Sequence, residues 1–311
     1  MNKRTALLAA LAAAFLCAFP LGAQTPPGTD IHLFPLDLDA DTPLGTPVAV
    51  TRRPGYDNQP AFLPDGRLVY TVIEVGEDDQ IQADIWIYDL ESRRTRSLTD
   101  TEESEYSPTP IPGERAISVI QVEANGIQRL WRFPLDGSDP NLLLPDIAPV
   151  GYHAWADKAD LLLFVLGEPP TLQRAKRGPG AGEVLARDIG RSLHRVPGSK
   201  KISFLHKEGP RWTIKTVDPA GKIEEVATAR PEREDYAWAP DGSLWMGDGT
   251  VLYRRLTGGE WQRVADLGEH GLGVITRLAI HPDGAHLALV AAETSKSDRQ
   301  RDADAEGDSR P

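Results

Sequence analysis

The side chains best suited to chemistry in this sequence recur near one position, about five or six residues before a repeated turn. Histidine and carboxylate groups can act as general bases or hold a metal, and arginine, tyrosine and amide groups can orient a ligand. Their fixed distance from the turn predicts that one strand of each repeat brings them to a common centre. The predicted ligand-binding residues are Asn58, Gln59, Tyr106, Tyr152, His153, Arg191, His194, Glu234, Asp235 and Arg277.

A structural interpretation applies to the same residues. Arg191 and Arg277 belong to repeats on either side of the one that carries Glu234 and Asp235. Charges that line a narrow channel need partners, so the arginines can simply neutralise the carboxylates. The two histidines can likewise be hydrogen-bonded lining residues rather than metal ligands. The sequence leaves both interpretations open.

Motifs that identify common enzyme classes are absent from the sequence. The seven histidines form no His-Glu-x-x-His pair, and no Gly-x-Ser-x-Gly elbow is present. Cys17 is the only cysteine and lies in the N-terminal apolar segment, so a processed chain would contain no thiol nucleophile and no disulfide. We therefore expect no catalytic residues, no cofactor and no bound metal.

The repeated phrase is clearest in three copies. Pro60–Gly66 reads Pro-Ala-Phe-Leu-Pro-Asp-Gly, and related sequences occur at Tyr236–Gly242 and Leu278–Gly284. Three weaker copies bring the number to six, and successive turn positions are 48, 45, 40, 43 and 42 residues apart. A period in the forties, with short strands and one tight turn in each unit, is typical of β-propeller blades.

The two ends of the repeat region complement each other. Residues 34–37 repeat residues 133–136, which close the third strand of their unit, so the N-terminal segment supplies third and fourth strands. The last unit supplies only a first and a second strand. The sequence thus predicts an all-β fold, a six-bladed β-propeller over residues 31–293 with four antiparallel strands in each blade. Its last blade is closed by residues 31–51 pairing with residues 276–292, which removes exposed sheet edges.

The aromatic residue of the phrase has a predicted packing role. Phe62, Trp155 and Trp238 occupy equivalent positions in their repeats. Large aromatic side chains at a repeated strand position favour a core between blades over a ligand-stacking surface. We expect all three to pack between neighbouring sheets.

The termini are predicted to lie outside the propeller. Residues 1–23 have the basic start, the apolar centre and the small residues before a cleavage site that are typical of a secretory signal peptide. Residues 24–30 form a short N-terminal segment. Residues 294–311 are polar and contain no large apolar side chain, which predicts a disordered tail. We expect a periplasmic or secreted protein.

The charge and hydropathy of the chain exclude two classes of partner. A net charge of −12 disfavours binding to nucleic acid. Beyond the N-terminal segment no apolar run approaches the ~20 residues that a membrane helix needs, so no membrane span is expected. A protein or peptide, or a small ligand, remains as the partner, and we expect a monomer.

The phrase also resembles the repeat of TolB-type periplasmic β-propellers, which are related to WD-repeat propellers. Ala61-Phe62-Leu63-Pro64-Asp65-Gly66 and its copy at residues 237–242 carry this resemblance. It implies a propeller of that family over nearly the whole processed chain. The α/β domain that precedes the propeller in TolB itself has no counterpart, because only residues 24–30 stand in its place.

Three functions are compatible with these features. The leading hypothesis is an exported, non-enzymatic propeller that binds a protein, peptide or small ligand at the mouth of its channel, within an envelope-associated assembly or outside one. The alternative is a channel-centred enzyme of the lyase, lactonase or glycoside hydrolase type that uses His153, His194, Glu234 or Asp235 as a base or metal ligand. A structural spacer in an envelope assembly is the third hypothesis. The fold alone does not decide among them.

Overall fold

The computed structural model describes residues 26–76 and 80–294. The predicted signal peptide and, apart from Thr294, the predicted tail lie outside the described residues. Within the described ranges the only helical element is a 3-10 turn at Leu267–His270, and no helix there is long and apolar enough to cross a membrane. The fold is all-β, as predicted.

The first and last strands of the chain share one eight-stranded sheet. The N-terminal strands of this sheet are β1 (Thr29–Pro35), β2 (Val48–Ala49), β3 (Tyr56–Phe62), β4 (Leu68–Val75), β5 (Ile81–Asp89) and β6 (Arg94–Ser97). The C-terminal ones are β23 (Ile275–Ile280) and β24 (His286–Ala292). Strand β1 pairs antiparallel with β24 from Thr29–Ala292 to Pro35–His286, and it meets β3 at the parallel pair Thr29–Tyr56.

Four further sheets each contain four antiparallel strands that follow one another along the chain. The first comprises β7 (Ser104–Pro110), β8 (Ala116–Val122), β9 (Gln128–Pro134) and β10 (Asn141–Leu142). The second comprises β11 (Val150–Trp155), β12 (Asp160–Val165), β13 (Thr171–Lys176) and β14 (Glu183–Arg187). The third comprises β15 (Ile189–Arg195), β16 (Ile202–His206), β17 (Thr213–Val217) and β18 (Ile223–Thr228). The fourth comprises β19 (Tyr236–Trp238), β20 (Leu244–Asp248), β21 (Val251–Arg255) and β22 (Trp261–Asp266).

The Pro-Asp-Gly sequences form the tight turns between first and second strands. The backbone N–H of Gly66 donates to the carbonyl oxygen of Leu63 at 3.0 Å, and Gly66 has a φ of 90°. Glycine takes this conformation because it has no Cβ to clash with the backbone. The carboxylate of Asp65 accepts from the backbone N–H of Arg67 at 3.2 Å, as aspartate does in such turns. These turns fix where each first strand ends.

Neighbouring sheets pack through the aromatic residue of the phrase. The indole N–H of Trp155 on β11 donates to the hydroxyl of Ser118 on β8 at 2.8 Å. Trp238 on β19 makes the same bond to Ser203 on β16, also at 2.8 Å. Phe62 lies in an apolar cluster with residues of β1 and β24. Trp155 and Trp238 therefore pack between neighbouring sheets, as the sequence predicted, whereas Phe62 packs against strands of its own eight-stranded sheet.

Candidate functional site

Local irregularities in the first strands turn the candidate residues toward the interior. Strands β3, β7, β11, β15 and β23 each contain a break in register at this point. Gln59 and Ser107 have φ angles of 58° and 55°, a left-handed conformation that is uncommon for residues with a side chain. Such bulges re-aim side chains and are frequent beside functional sites. They explain why polar residues of several sheets meet in one place.

Four side chains form what we call the polar layer: Tyr152, Arg191, Asp235 and Arg277. Arg191 donates two hydrogen bonds to the Asp235 carboxylate, from Nη2 to Oδ2 at 2.5 Å and from Nε to Oδ1 at 3.2 Å. The Ser192 hydroxyl donates to Asp235 Oδ1 at 3.3 Å. Arg277 lies farther away, with Nη1 3.9 Å from Asp235 Oδ1, and its Nη2 donates to the Tyr152 hydroxyl at 3.2 Å. Two cations thus share one carboxylate.

The charges of the polar layer hold one another ionised. Burial alone would raise the pKa of Asp235, but the guanidinium groups of Arg191 and Arg277 outweigh it and hold this pKa below its ordinary value. The Asp235 carboxylate in turn raises the pKa of Arg191. With two positive groups and one negative group, the layer carries a net charge of about +1 at neutral pH.

A cavity of about 1230 Å³ lies on one side of the polar layer. We call it the loop-side cavity, because loops between strands border it. Its charged lining residues are evenly divided by sign: Arg191, Lys207, Arg233 and Arg277 against Glu168, Glu232, Glu234 and Asp235. Lys207 forms an ion pair with Glu234, which also accepts from the backbone N–H of Arg191 at 3.1 Å. Apolar residues complete the wall: Ile127, Pro149, Phe164, Leu166, Val274 and Ile275.

A second cavity, of about 820 Å³, lies on the other side of the polar layer. We call it the turn-side cavity, because the phrase and its turns border it. Residues of all six first strands line it, together with five prolines of the turns: Pro64, Pro112, Pro197, Pro240 and Pro282. Asp235 is the only carboxylate among its lining residues. Three arginines also line it: Arg191, Arg195 and Arg277. This cavity is therefore cationic, although the whole chain has a net charge of −12.

Both predicted histidines border the turn-side cavity; His153 is buried and His194 is half-buried. His153 Nε2 lies 2.6 Å from the Ser118 hydroxyl, and its Nδ1 has no hydrogen-bond partner in the described part of the chain. His194 stacks edge-on against Tyr236, and its Nε2 likewise lacks a partner there. Burial lowers the pKa of His153 to about 3 and that of His194 to about 4. Both rings are therefore neutral at physiological pH.

The residues named for a metal site lie apart. His153 and His194 border the turn-side cavity, Glu234 borders the loop-side cavity, and Asp235 lies between the two. In residues 26–76 and 80–294 no three histidine, cysteine or carboxylate side chains are grouped closely enough to hold a metal ion. Eight of the ten predicted residues border at least one of the two cavities, and four of them border both.

Three of the predicted residues serve the scaffold. Asn58 is buried, donates to the Thr29 hydroxyl at 3.2 Å and borders neither cavity. Tyr106 packs against apolar clusters and also borders neither cavity. Gln59 borders the turn-side cavity, but its side-chain oxygen accepts from the backbone N–H of Ser107 at 2.7 Å and so links two sheets.

Several residues of the cavities escaped the sequence analysis. Lys207 follows the second strand β16 and Val274 precedes β23, so neither lies at the repeated position near the start of a first strand. Ser118 and Ser203 border neither cavity, but they could have been found as scaffold residues, because they occupy the same position in the second strands of their repeats and each accepts an indole N–H. Phe164 lies on a second strand and shapes the loop-side wall.

Comparison with known proteins identifies the fold. No family model and no curated protein matches the sequence. The structure of a putative TolB from Agrobacterium tumefaciens matches with a TM-score of 0.67 at 14% identity, over 87% of this chain and 100% of that one. TolB from Acinetobacter baumannii matches with a TM-score of 0.55 at 15% identity, over 86% of this chain and 64% of that one.

A lyase shares the same architecture. An oligogalacturonate lyase in complex with manganese matches with a TM-score of 0.52 at 14% identity, over 85% of this chain and 83% of that one. At such identities the likeness concerns the fold and leaves the activity open. The resemblance expected from the repeated phrase is confirmed at this level: the chain has a TolB-like β-propeller fold.

Proposed function

We propose that this protein binds a peptide or protein segment at the loop-side cavity and takes an apolar side chain of that partner into it. The observation that carries the proposal is the combination of paired charges and an apolar wall. Lys207 pairs with Glu234, Arg191 pairs with Asp235, and Arg233 pairs with Asp248, which does not line the cavity. Because these three cations already have carboxylate partners, an apolar group can enter beside them without breaking any of the three ion pairs.

The rim of this cavity supports a macromolecular partner. Val274 lines the cavity and is 46% exposed, so the apolar wall continues to the protein surface. Exposed apolar surface that is continuous with a cavity favours protein contact, because its burial releases water at about 25 cal/mol per Å². We assign no catalytic step to this cavity.

The test compares two exposed valines. Val274 and Val184 are both 46% exposed, and Val184 lies on β14, away from both cavities. We expect Val274→Asp to lower the affinity for a partner captured from a periplasmic extract about tenfold, since a charge would then enter the apolar contact. Titration of that partner into the three proteins measures the effect. Equal affinity of the Val274→Asp and Val184→Asp variants would contradict the proposal.

A channel-centred enzyme is the second candidate. It is favoured by the lyase among the matched folds and by two neutral histidines with partnerless ring nitrogens at the turn-side cavity. Turnover of a polyuronate, lactone or glycoside that disappears in both His153→Ala and His194→Ala would replace binding by catalysis as the main function.

We also propose that the sheets form six blades in a closed ring. The eight-stranded sheet supplies two of them, one of which combines β23 and β24 with β1 and β2. The seam is supported by the N–H of Glu293 donating to Gly28 O at 3.0 Å and by the Glu293 carboxylate accepting from the Gly55 N–H at 2.8 Å. Deleting residues 31–50 should then abolish cooperative unfolding in a denaturant titration, and a truncated chain as stable as its parent would refute the closure.

Export completes the proposal. Residues 1–23 have the pattern of a signal peptide, and we propose that it is cleaved. We further propose a monomer with its propeller at residues 31–293 and a tail at residues 294–311. Amino-terminal sequencing of the protein recovered from the periplasm tests the cleavage before Gln24.

A further inference from the structure

We propose that the turn-side cavity binds a carboxylate attached to an apolar body, and that Arg277 holds the carboxylate. This site lies on the opposite side of the polar layer from the proposed peptide site. The two sites differ in net charge, in the residues that line them and in the proposed ligand.

The first argument is the unused hydrogen-bonding capacity of Arg277. Its side chain is only 15% exposed and offers five N–H donors. Within the described ranges it makes one hydrogen bond, to the Tyr152 hydroxyl at 3.2 Å, and its contact with Asp235 at 3.9 Å is too long for a second. The nitrogen atoms of Arg277 that lack a partner are not closed off from solvent, so their N–H groups can donate to an acceptor in a cavity. A planar carboxylate matches two of these donors at once.

Asp235 does not fulfil this role because Arg191 already occupies it. Arg191 donates to both carboxylate oxygens, and Ser192 donates to one of them. Arg277 contributes only a long-range attraction to the same group. The resulting cluster of two arginines and one aspartate keeps one positive charge for a ligand.

The second argument is the charge of the cavity. Apart from Asp235, its aspartate, glutamate, lysine and arginine lining residues are all arginines, and the third one, Arg195, donates to the backbone oxygen of Ser199 at 2.8 Å. A cationic cavity in a protein of net charge −12 attracts anions locally while the outer surface repels them. The loop-side cavity has no such excess, because its four cations face four carboxylates.

The wall of the cavity defines the rest of the ligand. Prolines and the aromatic residues of the phrase line it, including Phe62, Trp155 and Trp238. The Tyr152 hydroxyl accepts from Arg277, so its own proton is available to a second carboxylate oxygen. A volume of about 820 Å³ accommodates a molecule well beyond acetate in size. The chemistry fits an apolar carboxylic acid or the C-terminal carboxylate of a peptide.

Calorimetric titration separates these two sources and tests the role of the charge. The probes are 3-phenylpropionate for a small acid and N-acetylphenylalanine for a peptide C-terminus, each paired with its neutral amide. We expect one carboxylate to bind at one site per chain, and its amide to bind about tenfold more weakly or not at all, because charge-assisted hydrogen bonds contribute about 1.5–3 kcal/mol. Failure of both acids to bind saturably, or equal binding of acid and amide, would overturn the proposal, as would equally strong binding of inorganic phosphate.

Two arginine variants test the assignment to Arg277. Arg277→Gln should weaken the binding of the acid about tenfold or more, whereas Arg195→Gln removes the same charge from a residue that is already bonded and should change it less than about threefold. Equal losses would indicate a general field effect and contradict a specific site. If Arg277→Gln does not unfold cooperatively, Arg277→Lys replaces it, and an unchanged affinity in that variant would contradict the bidentate contact. Val274→Asp should leave acid binding intact, so this test does not depend on the loop-side site.

Discussion

The two cavities share the same four polar side chains but differ in what surrounds them. On the loop side, four cations face four carboxylates, and on the turn side three arginines face Asp235 alone. Neither composition follows from the net charge of the chain, which is −12. The character of a site in this fold therefore depends on which residues the strand register and the loops bring to it, and hardly on the overall composition.

The difference has a structural origin. Loop-side residues such as Lys207 and Glu234 come from segments outside the strands, where sequence varies freely and opposite charges can meet. Turn-side residues belong to the repeated phrase, which supplies prolines, aromatics and, in four of the six turns, one aspartate. Those aspartates are committed locally, since Asp65 and Asp241 accept backbone N–H groups of their own turns at 3.2 Å and 2.9 Å. The turn-side cavity is left with few free carboxylates.

The largest effect on this contrast should come from Asp235→Asn. The change leaves the guanidinium groups of Arg191 and Arg277 without their shared counter-charge. The side chains of Asp235 and Arg277 are only 15% exposed, and Asp235 pairs with Arg191, which is 34% exposed, at 2.5 Å. We expect the free energy of unfolding to fall by about 2–4 kcal/mol, as measured by urea denaturation. The affinity for a turn-side carboxylate should rise in the same variant, since the competing negative charge is removed.

Asp248 provides the matched control for this variant. It also holds two arginines, Arg230 and Arg233, each at 2.9 Å, but it borders neither cavity and its side chain is 25% exposed. Asp248→Asn should cost less stability and leave carboxylate affinity unchanged. If Asp235→Asn and Asp248→Asn change stability and carboxylate affinity equally, the charges of the polar layer do not distinguish the two cavities.

The fold could be predicted from the sequence because the features that specify it are local and recur along the chain. The period of the phrase, the Pro-Asp-Gly turns and the copy of residues 133–136 at residues 34–37 are visible without any tertiary contact. The bonds of Trp155 and Trp238 to serines of the preceding sheet follow the same period. Strand ends were less accessible, since β1 begins at Thr29 rather than at residue 31.

The site could be predicted only in part from the sequence, because breaks in strand register determine which side chains face the cavities. Asn58 and Tyr106 stand at the same distance from their turns as Arg191, yet bulges and neighbouring packing direct them into the scaffold. The expected neutralisation of the carboxylates was half right. Asp235 pairs with Arg191, whereas Glu234 pairs with Lys207, which no repeat position indicated.

We expect a smaller effect of pH on the free energy of unfolding, caused by His153 at the turn-side cavity. His153 is neutral in the folded protein, because burial lowers its pKa from 6.5 to about 3. Between these values the unfolded chain binds the proton and the folded one does not, so this residue favours unfolding as the pH falls. Replacing it in His153→Gln should reduce the acid loss of stability by up to about 1.4 kcal/mol per pH unit between pH 6 and 4. Urea denaturation at several pH values measures the slope.

The pH dependence of stability must be compared between variants, because buried Glu105 changes the stability with pH in the opposite direction to His153. Burial raises its pKa to about 7, so the folded state gains stability as the pH falls toward 4.5. Ser118→Ala is the control, since it removes the 2.6 Å contact with His153 Nε2 but keeps the titrating ring. It should lower stability at every pH and preserve the wild-type slope. If the free energy of unfolding varied with pH equally in His153→Gln and Ser118→Ala, His153 would not be held neutral in the folded protein. Water would then reach its ring at the turn-side wall.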